Sequence, residues 1–574
     1  MEGSNPLLAA APPEAVLPIV AQRETPFSRQ RVWLTKQEHI ELKSQIAFWK
    51  TQHERALKRE KALEKELEKA KGEIRDLRQR LYGRKSEKAA PRDDRSFTGG
   101  GSSRPRGQQK GAEGHGRTAR PHLPIEEQVL DLPGGAPCCG ICHLPYQPFP
   151  RTEDSDIVEV QVHAHVRRIK RKMYRRGCRC EQSPGLITAP PPPRLLPRTA
   201  LDVSVWAEVL LDKYLYARPT RRLLQQYASL GLPISQGTVT DGLKRLAALF
   251  EPLIEAMHEE QMSESLFHGD ETRWIVFETV EGKTGRRWYL WVTLSESVHY
   301  YRVASSRATA VPREHFATLD EDIECAILVC DRYSAYKCLA KEMPALLLAF
   351  CWAHVRRDFI DAARRFPQHQ AWMFEWVEAI RELYRINKQR LDEWDKALRL
   401  EQQSPAFAER HQALIDALAG MEQRRDEALR QSELPAPQRA VLASLKTHWA
   451  GLTVFVTHPE VPMDNNAGER GVRKGVLGRN AYHGSGSQWS AQLMAGMLTV
   501  LQTLVHWGIN AHHWMNTFLL ACAEQGGRCP QDLTPFLPWA MGEARKRELS
   551  QPLAQPPRSP MTSCRAQPPA PDTS

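Results

Sequence analysis

The sequence has no long apolar run. Its longest candidate, ALLLAFCWA at 345–353, is the length of a buried strand. A membrane-spanning helix needs roughly 18–20 apolar residues. Cysteine is also scarce, 12 in 574 residues, and five of the 12 fall between 138 and 180. That clustering excludes a disulfide scaffold and points to a metal-binding module in a reducing cytoplasm. Acidic residues are outnumbered, 68 Asp and Glu against 79 Lys and Arg, for a net charge of +11. The imbalance favours a polyanionic partner over an acidic small molecule. The N-terminal NPLLAAAPPEAVLPIVA lacks the basic residues that open a signal peptide, and its prolines suit an unstructured leader.

A chain of this length exceeds what one core organises, so three or four folded units are expected. After a disordered leader over 1–35, a heptad rhythm runs through Leu42, Ile46, Trp49, Ala56, Leu63, Leu67, Ala70, Ile74, Leu77 and Leu81, with His53 and Glu60 in the same seam. Such a stripe closes against a partner helix, so a coiled coil over 36–84 and a homo-oligomer are expected. Residues 85–122 read as a basic flexible linker and 189–198 as a proline-rich spacer. A disordered tail is expected over 546–574.

Between linker and spacer, 123–188 carries Cys139 and Cys142 at knuckle spacing, with Cys178 and Cys180 as the second pair for a structural Zn²⁺. Cys138 stands as a spare or substitute ligand. Val158 to Val166 alternate with polar residues, which predicts a half-buried strand. Eight Lys or Arg then follow within 167–179 without an acid. Arg167, Arg168, Lys170, Arg171 and Lys172 are accordingly candidate phosphate contacts. Residues 199–260 are helical in period, with a break at Gly231, an expected N-cap at Ser235 and a second helix from Gln236. This is the outline of a helix-turn-helix, shared by any helical hairpin.

After residue 262 the period becomes alternating. SLFHGDETRWIVF, RRWYLWVTLS and VHYYRVASS predict three strands, a polar helix follows, and CAILVCDRYSAY supplies a buried strand ending in Asp331. That order opens a ribonuclease H-like α/β fold, in which Asp270 and Asp331 are neighbours. The expected core covers 261–368 and 456–545, around a helical insertion over 369–455. Converging carboxylates suit Mg²⁺ or Mn²⁺, two ions at the site, and a third acid is needed. Glu469, set among Arg470, Arg473, Lys474 and Arg479, is the candidate third ligand. Asp464, five residues earlier, competes with it unless it caps the helix. Alternation along the first strand places Glu271 on the face opposite Asp270. Cys351 reads as structural, His354 as close to the cleft, and Arg356, Arg357, Arg470, Arg473 and Arg479 as DNA contacts.

The segments HGDETRW, CDRYSAY, CWAHVRRDF and DNNAGERGVRKGVLGRN resemble the signature segments of the insertion-sequence-66 transposase family. The likeness extends in order from about residue 40 to 540. It departs from the family pattern in the one-residue gap between Cys178 and Cys180 and in Gly475-Val476-Leu477-Gly478. The resemblance implies a DDE-type recombinase with Asp270, Asp331 and Glu469 as its catalytic acids. The expected partners are double-stranded DNA, as element ends and as target, and small accessory proteins of the same element. The expected setting is the bacterial cytoplasm at the nucleoid, without a membrane. Two rivals remain, a structure-selective nuclease of the same fold and a non-enzymatic zinc-containing DNA-binding regulator.

Overall fold

The computed structural model describes residues 33–82, 141–144, 162–175, 184, 186–281 and 285–552. The expected leader, linker and tail therefore lie wholly or largely outside the described residues, as do Cys138, Cys139, Cys178 and Cys180. The chain divides into two units, one formed by 1–89 with 364–367 and the other by 90–363 with 368–574.

The first unit contains helix α1 (Lys36–Tyr82). Thr35 and Glu38 exchange backbone and side-chain hydrogen bonds at its start, a capping box that satisfies otherwise orphaned amides. The heptad seam lies open along it, with Trp49 67% and Leu63 57% exposed.

The second unit begins with a small hairpin, β1 (Met173–Arg175) against β2 (Leu186–Thr188). Here the sequence expectation needs correcting. Of the strand expected from Val158 to Val166, residues 158–161 lie outside the described residues; no strand forms at 162–166, where every residue is exposed, and among the described residues pairing starts at Met173. Alternation commits a strand only when a surface covers its apolar face, and Val166 is 92% exposed.

Helix α2 (Val203–Leu210) runs into a π-helical turn at Leu211–Leu215, and α3 (Thr220–Ser229) and α4 (Gln236–Met262) follow. The Ser235 hydroxyl accepts from the Thr238 amide, the N-cap read from sequence. Next comes a five-stranded sheet built from β3 (Leu266–Ile275), β4 (Arg287–Leu294), β5 (His299–Ala304), β6 (Ala326–Cys330) and β7 (Leu346–Phe350), in the order β5-β4-β3-β6-β7. The first three strands are antiparallel, while β6 and β7 run parallel to β3. Parallel pairing requires crossovers. These are supplied by α5 (Ala310–Phe316) before β6 and by α6 (Ser334–Glu342) before β7.

Past β7, α7 (Trp352–Arg365) leads to a helical segment of α8 (Gln370–Leu391), α9 (Pro405–Arg430), α10 (Ala436–Thr447), α11 (Trp449–Leu452) and α12 (Val454–Thr457). Trp376, Ile380 and Leu383 of α8 are fully buried, as their spacing predicts. The chain then returns with α13 (Asn466–Tyr482), α14 (Gln488–His506), α15 (Ala511–Glu524) and α16 (Glu543–Ser550). The tail expected from 546 does not begin there, because the helix continues to Ser550, Leu549 is buried and its carbonyl accepts from Asn510.

Helices cover both faces of the sheet. One core joins Leu290, Val292 and Leu294 of β4 to α2, α4, α14 and α15. The other joins β6 and β7 to α7, α8 and the helical segment. The insertion is thus packed as part of the second core. Among the described residues no helix is long and apolar enough to cross a membrane.

Candidate active site

Strand β3 is the point from which the sheet grows in both directions. It pairs with β4 on one side and with β6 on the other, the last parallel pair joining His268 to Val329. Asp270 and Asp331 each lie two residues beyond that last pair, at the carboxyl side of adjacent parallel strands. Open α/β sheets bind ligands at such a switch point.

Alternation then sorts the side chains. His268, Asp270 and Thr272 stand opposite Leu294, Val292 and Leu290, and this face is covered by α13. Glu271 turns the other way, as expected. Its carboxylate is held by Arg307, with Nε at 2.9 Å, and by the Tyr336 hydroxyl at 2.9 Å.

Helix α13 lies tight on the sheet because its inner face is glycine. A Cβ at Gly471 would come within 3.1 Å of Leu294, and one at Gly475 within 2.1 Å of Leu290. The helix is also fastened along its length. At its start the Asn465 amide nitrogen donates to the Gly269 carbonyl at 2.8 Å. In its last turn, Arg479 Nη1 donates to Thr272 Oγ1 at 3.0 Å. Just past its end, the Ser485 amide donates to Ile275 at 2.9 Å, and the Trp274 indole donates to Ser485 Oγ at 3.1 Å. These contacts bring Glu469 to the side of β3 that carries Asp270.

Asp270 senses both of the other acids. The Asp270 carboxyl is pushed up to about 7, chiefly by burial, then by Glu271, with further contributions from Asp331 and Glu469. Asp464 is not among those neighbours. Its Oδ1 instead accepts from the Asn466 amide at 3.1 Å, the capping role that separates it from Glu469. His354 Nε2 lies 3.7 Å from Glu469 Oε1, and its Nδ1 is buried without a hydrogen-bond partner. Burial, reinforced by Arg357, lowers the His354 pKa and favours the neutral ring. Cys351 is buried and accepts from the Asn465 amide at 3.2 Å, a structural role. Beyond Asp331, Arg332 reaches Asp358 of α7 at 2.6 Å and Ser444 of α10 at 3.1 Å, which ties the helical segment to the strand end.

Whether these residues suit a divalent cation is a question of donor chemistry. Asp270, Asp331 and Glu469 offer hard oxygen donors, and burial with the neighbouring acids raises the Asp270 carboxyl, the kind of site that a cation would relieve. Arg307 compensates Glu271 on the opposite face. The donor set fits, although among the described residues no three His, Cys, Asp or Glu side chains are gathered into one ligand shell.

The basic candidates divide. Arg168, Lys170, Lys172, Arg357, Arg470 and Arg473 are exposed. Arg167 pairs with Asp202 at 3.0 Å across a well-exposed surface, and Arg171 donates to the Ala189 carbonyl at 2.6 Å. Arg356 is half-buried. Arg479 spends at least one nitrogen on β3, so it acts in packing as well as charge. Of the zinc candidates, Cys142 alone is described, and it is exposed. Sequence reasoning missed Asn465, Ser485 and Arg307 as parts of the site. Glycines at 468, 471, 475 and 478, spaced three and four apart, were the legible sign that this helix lies close on a sheet.

Comparison with known proteins gives a concordant result. A family model described as Transposase IS66 family matches residues 198–493. Three uncharacterized proteins of Sinorhizobium fredii are similar over most of their lengths. They are y4hP, 26% identical over 438 residues (72% of this chain, 74% of that protein), y4jD, 24% over 453 (76% and 83%), and y4qI, 24% over 433 (73% and 76%).

Proposed function

The chain belongs to the IS66 family of transposases, and we propose that it is a DDE-type enzyme that cuts DNA at the ends of an insertion element and joins those ends to target DNA. The observation that carries this reading is that Asp270 and Asp331 each lie two residues beyond the last pair of adjacent parallel strands, while Glu469 rides on the helix clamped over the face that carries Asp270. The order of the five strands supports a ribonuclease H-like core.

In this reading Asp270, Asp331 and Glu469 would hold divalent cations, Mg²⁺ or Mn²⁺. When bound, such cations activate an attacking oxygen and stabilise a leaving one in phosphodiester displacement. The residues of the chain orient the reacting strand. Arg470 and Arg473, exposed on α13 beside Glu469, hold its phosphates, and Arg357 serves the same end from α7. Attack by water breaks the bond between phosphorus and the 3′ oxygen at the element's end and leaves a 3′-hydroxyl. That hydroxyl then attacks a phosphodiester of the target, forming the new phosphorus–oxygen bond as the target's own phosphorus–3′ oxygen bond breaks and its 3′ oxygen leaves as a hydroxyl, and no covalent protein–DNA link forms. A strand-transfer assay on DNA carrying the element's ends tests the proposal. Joined products support it, whereas Mg²⁺-dependent nicking that never yields joined products favours the nuclease.

The remaining parts of the reading concern binding. The basic run from Arg167 to Lys172 contacts phosphates, so end binding should fall steeply with salt. The cysteine pairs Cys139/Cys142 and Cys178/Cys180 hold one zinc per chain, an assignment that rests on their spacing. Metal analysis of the purified full-length protein should return one equivalent of zinc. A metal-free protein with reduced thiols that still binds DNA ends contradicts the assignment.

The open seam of α1 pairs two copies of the chain. In a parallel, in-register pair Arg59 would meet Glu64, Glu66 would meet Lys71, and Glu73 would meet Arg78, each with the opposite charge. Deleting 36–81 should convert the protein to a monomer in sedimentation. A deletion variant that keeps the parent's oligomeric state rejects the pairing.

A further inference from the structure

Asn465 sits at the N-cap position of α13, where an asparagine side chain ordinarily accepts from an amide of its own helix. Here it makes no such bond. Its side chain turns to β3 instead, and the residue is 1% exposed. Nδ2 donates to the Gly269 carbonyl at 2.8 Å, and Oδ1 lies 3.0 Å from His268 Nδ1. Because Oδ1 can only accept, His268 must carry its proton on Nδ1. The Asn465 backbone is committed as well. Its amide donates to Cys351 Sγ at 3.2 Å, immediately before α7, and its carbonyl accepts from the Glu469 amide at 3.1 Å.

One residue thus links the strand that carries Asp270, the helix that carries His354 and the first turn of the helix that carries Glu469. Gly468 makes room for the link, since a Cβ there would lie 2.8 Å from both Nδ2 and Oδ1 of Asn465.

We propose that Asn465 is a positioning residue that latches α13 onto β3 at His268 and Gly269 and so sets Glu469 opposite Asp270. The inference rests on the DDE reading of the three acids. It assigns Asn465 no contact with DNA or with a cation. It acts through Glu469, as groups that orient a metal ligand do in general.

The test uses the full-length protein, with Mn²⁺ as the probe. Binding of Mn²⁺ without DNA is measured calorimetrically, and cleavage and affinity are measured on DNA ends. Asn465→Ala should weaken Mn²⁺ binding by roughly 10-fold or more. It should lower the cleavage kcat about 100-fold, the scale of a displacement near 1 Å at a reacting centre. End affinity should be unchanged. Asn466→Ala, exposed and next in sequence, should behave as wild type. If Asn465→Ala does not fold, Gly468→Ala disturbs the same latch while retaining the amide, and the same pattern is expected of it.

Wild-type Mn²⁺ binding and cleavage in Asn465→Ala, alongside an inactive Glu469→Gln, overturns the positioning role and leaves the DDE reading standing. Full cleavage by Glu469→Gln overturns the DDE reading and the latch with it. Equal loss of end affinity and cleavage in Asn465→Ala and Gly468→Ala marks the residue as merely structural and also overturns the proposal.

Discussion

Replacing Glu469 with Gln is expected to abolish DNA cleavage while leaving binding of DNA ends nearly intact. Glutamine keeps the side chain's length and one carbonyl oxygen but removes the charge that would hold a divalent cation. Losing that electrostatic help should cost several kcal/mol of transition-state stabilisation, on the order of 10³-fold in rate. Binding should survive because attraction to phosphates comes from lysine and arginine, and one acid fewer does not oppose it. Asp270→Asn and Asp331→Asn should match the effect, and double variants should be no worse, since the three acids act as a unit. Asp464→Asn is the control, because Asp464 caps the Asn466 amide. A Glu469→Gln protein that cuts in Mg²⁺ while Asp464→Asn does not would move the third ligand to Asp464.

A large loss of stability from a single methyl group is expected at Gly484. Its φ of +147° lies where L-residues are strained, and a Cβ would stand 2.3 Å from the Ile275 carbonyl oxygen. That neighbour is backbone, so it cannot rotate aside. It also accepts from Ser485, the bond that closes the far end of α13 onto β3. Backbone strain of about 1–3 kcal/mol and overpacking of similar size put Gly484→Ala roughly 2–4 kcal/mol below the parent. Gly486→Ala, where a Cβ meets nothing within 4 Å, should be neutral. Denaturant unfolding followed by tryptophan fluorescence compares the two, with Trp274 reporting directly because its indole bonds Ser485. Equal midpoints for the two variants would show that the closure at Ile275 carries no strain-sensitive load.

Much of this architecture was legible because periodicity speaks for local structure. The strands from Leu266 to Cys330, the N-cap at Ser235 and the buried stripe of α8 follow from patterns a few residues wide. The neighbourhood of Asp270 and Asp331 was legible too, since it depends only on two strands lying side by side. What periodicity could not convey is partnership over distance. Asn465 beside Asn466 reads as a turn, and nothing local says that its side chain forgoes the cap for β3. Arg307 looks like one more basic residue until Glu271 is seen buried beneath it, 2% exposed at the side chain. The valine alternation misled at 162–166 for a related reason. A pattern records a readiness to be covered, and what covers it must come from elsewhere.

The fastening of α13 to β3 also governs when the chain becomes whole. His268 and Asn465 are 197 positions apart, Thr272 and Arg479 207, and Trp274 and Ser485 211. Closures that span so much chain come late in folding, and chains fold from the N-terminus as they are synthesised. On the ribosome, the basic segment near 170, the sheet and the whole helical segment emerge before Asn465 does. A nascent or interrupted polypeptide therefore carries Asp270 and Asp331 with no Glu469 beside them. On the proposed reading such a fragment lacks one of the three acids that the chemistry requires, so the site is complete only once the chain past Ser485 has been made.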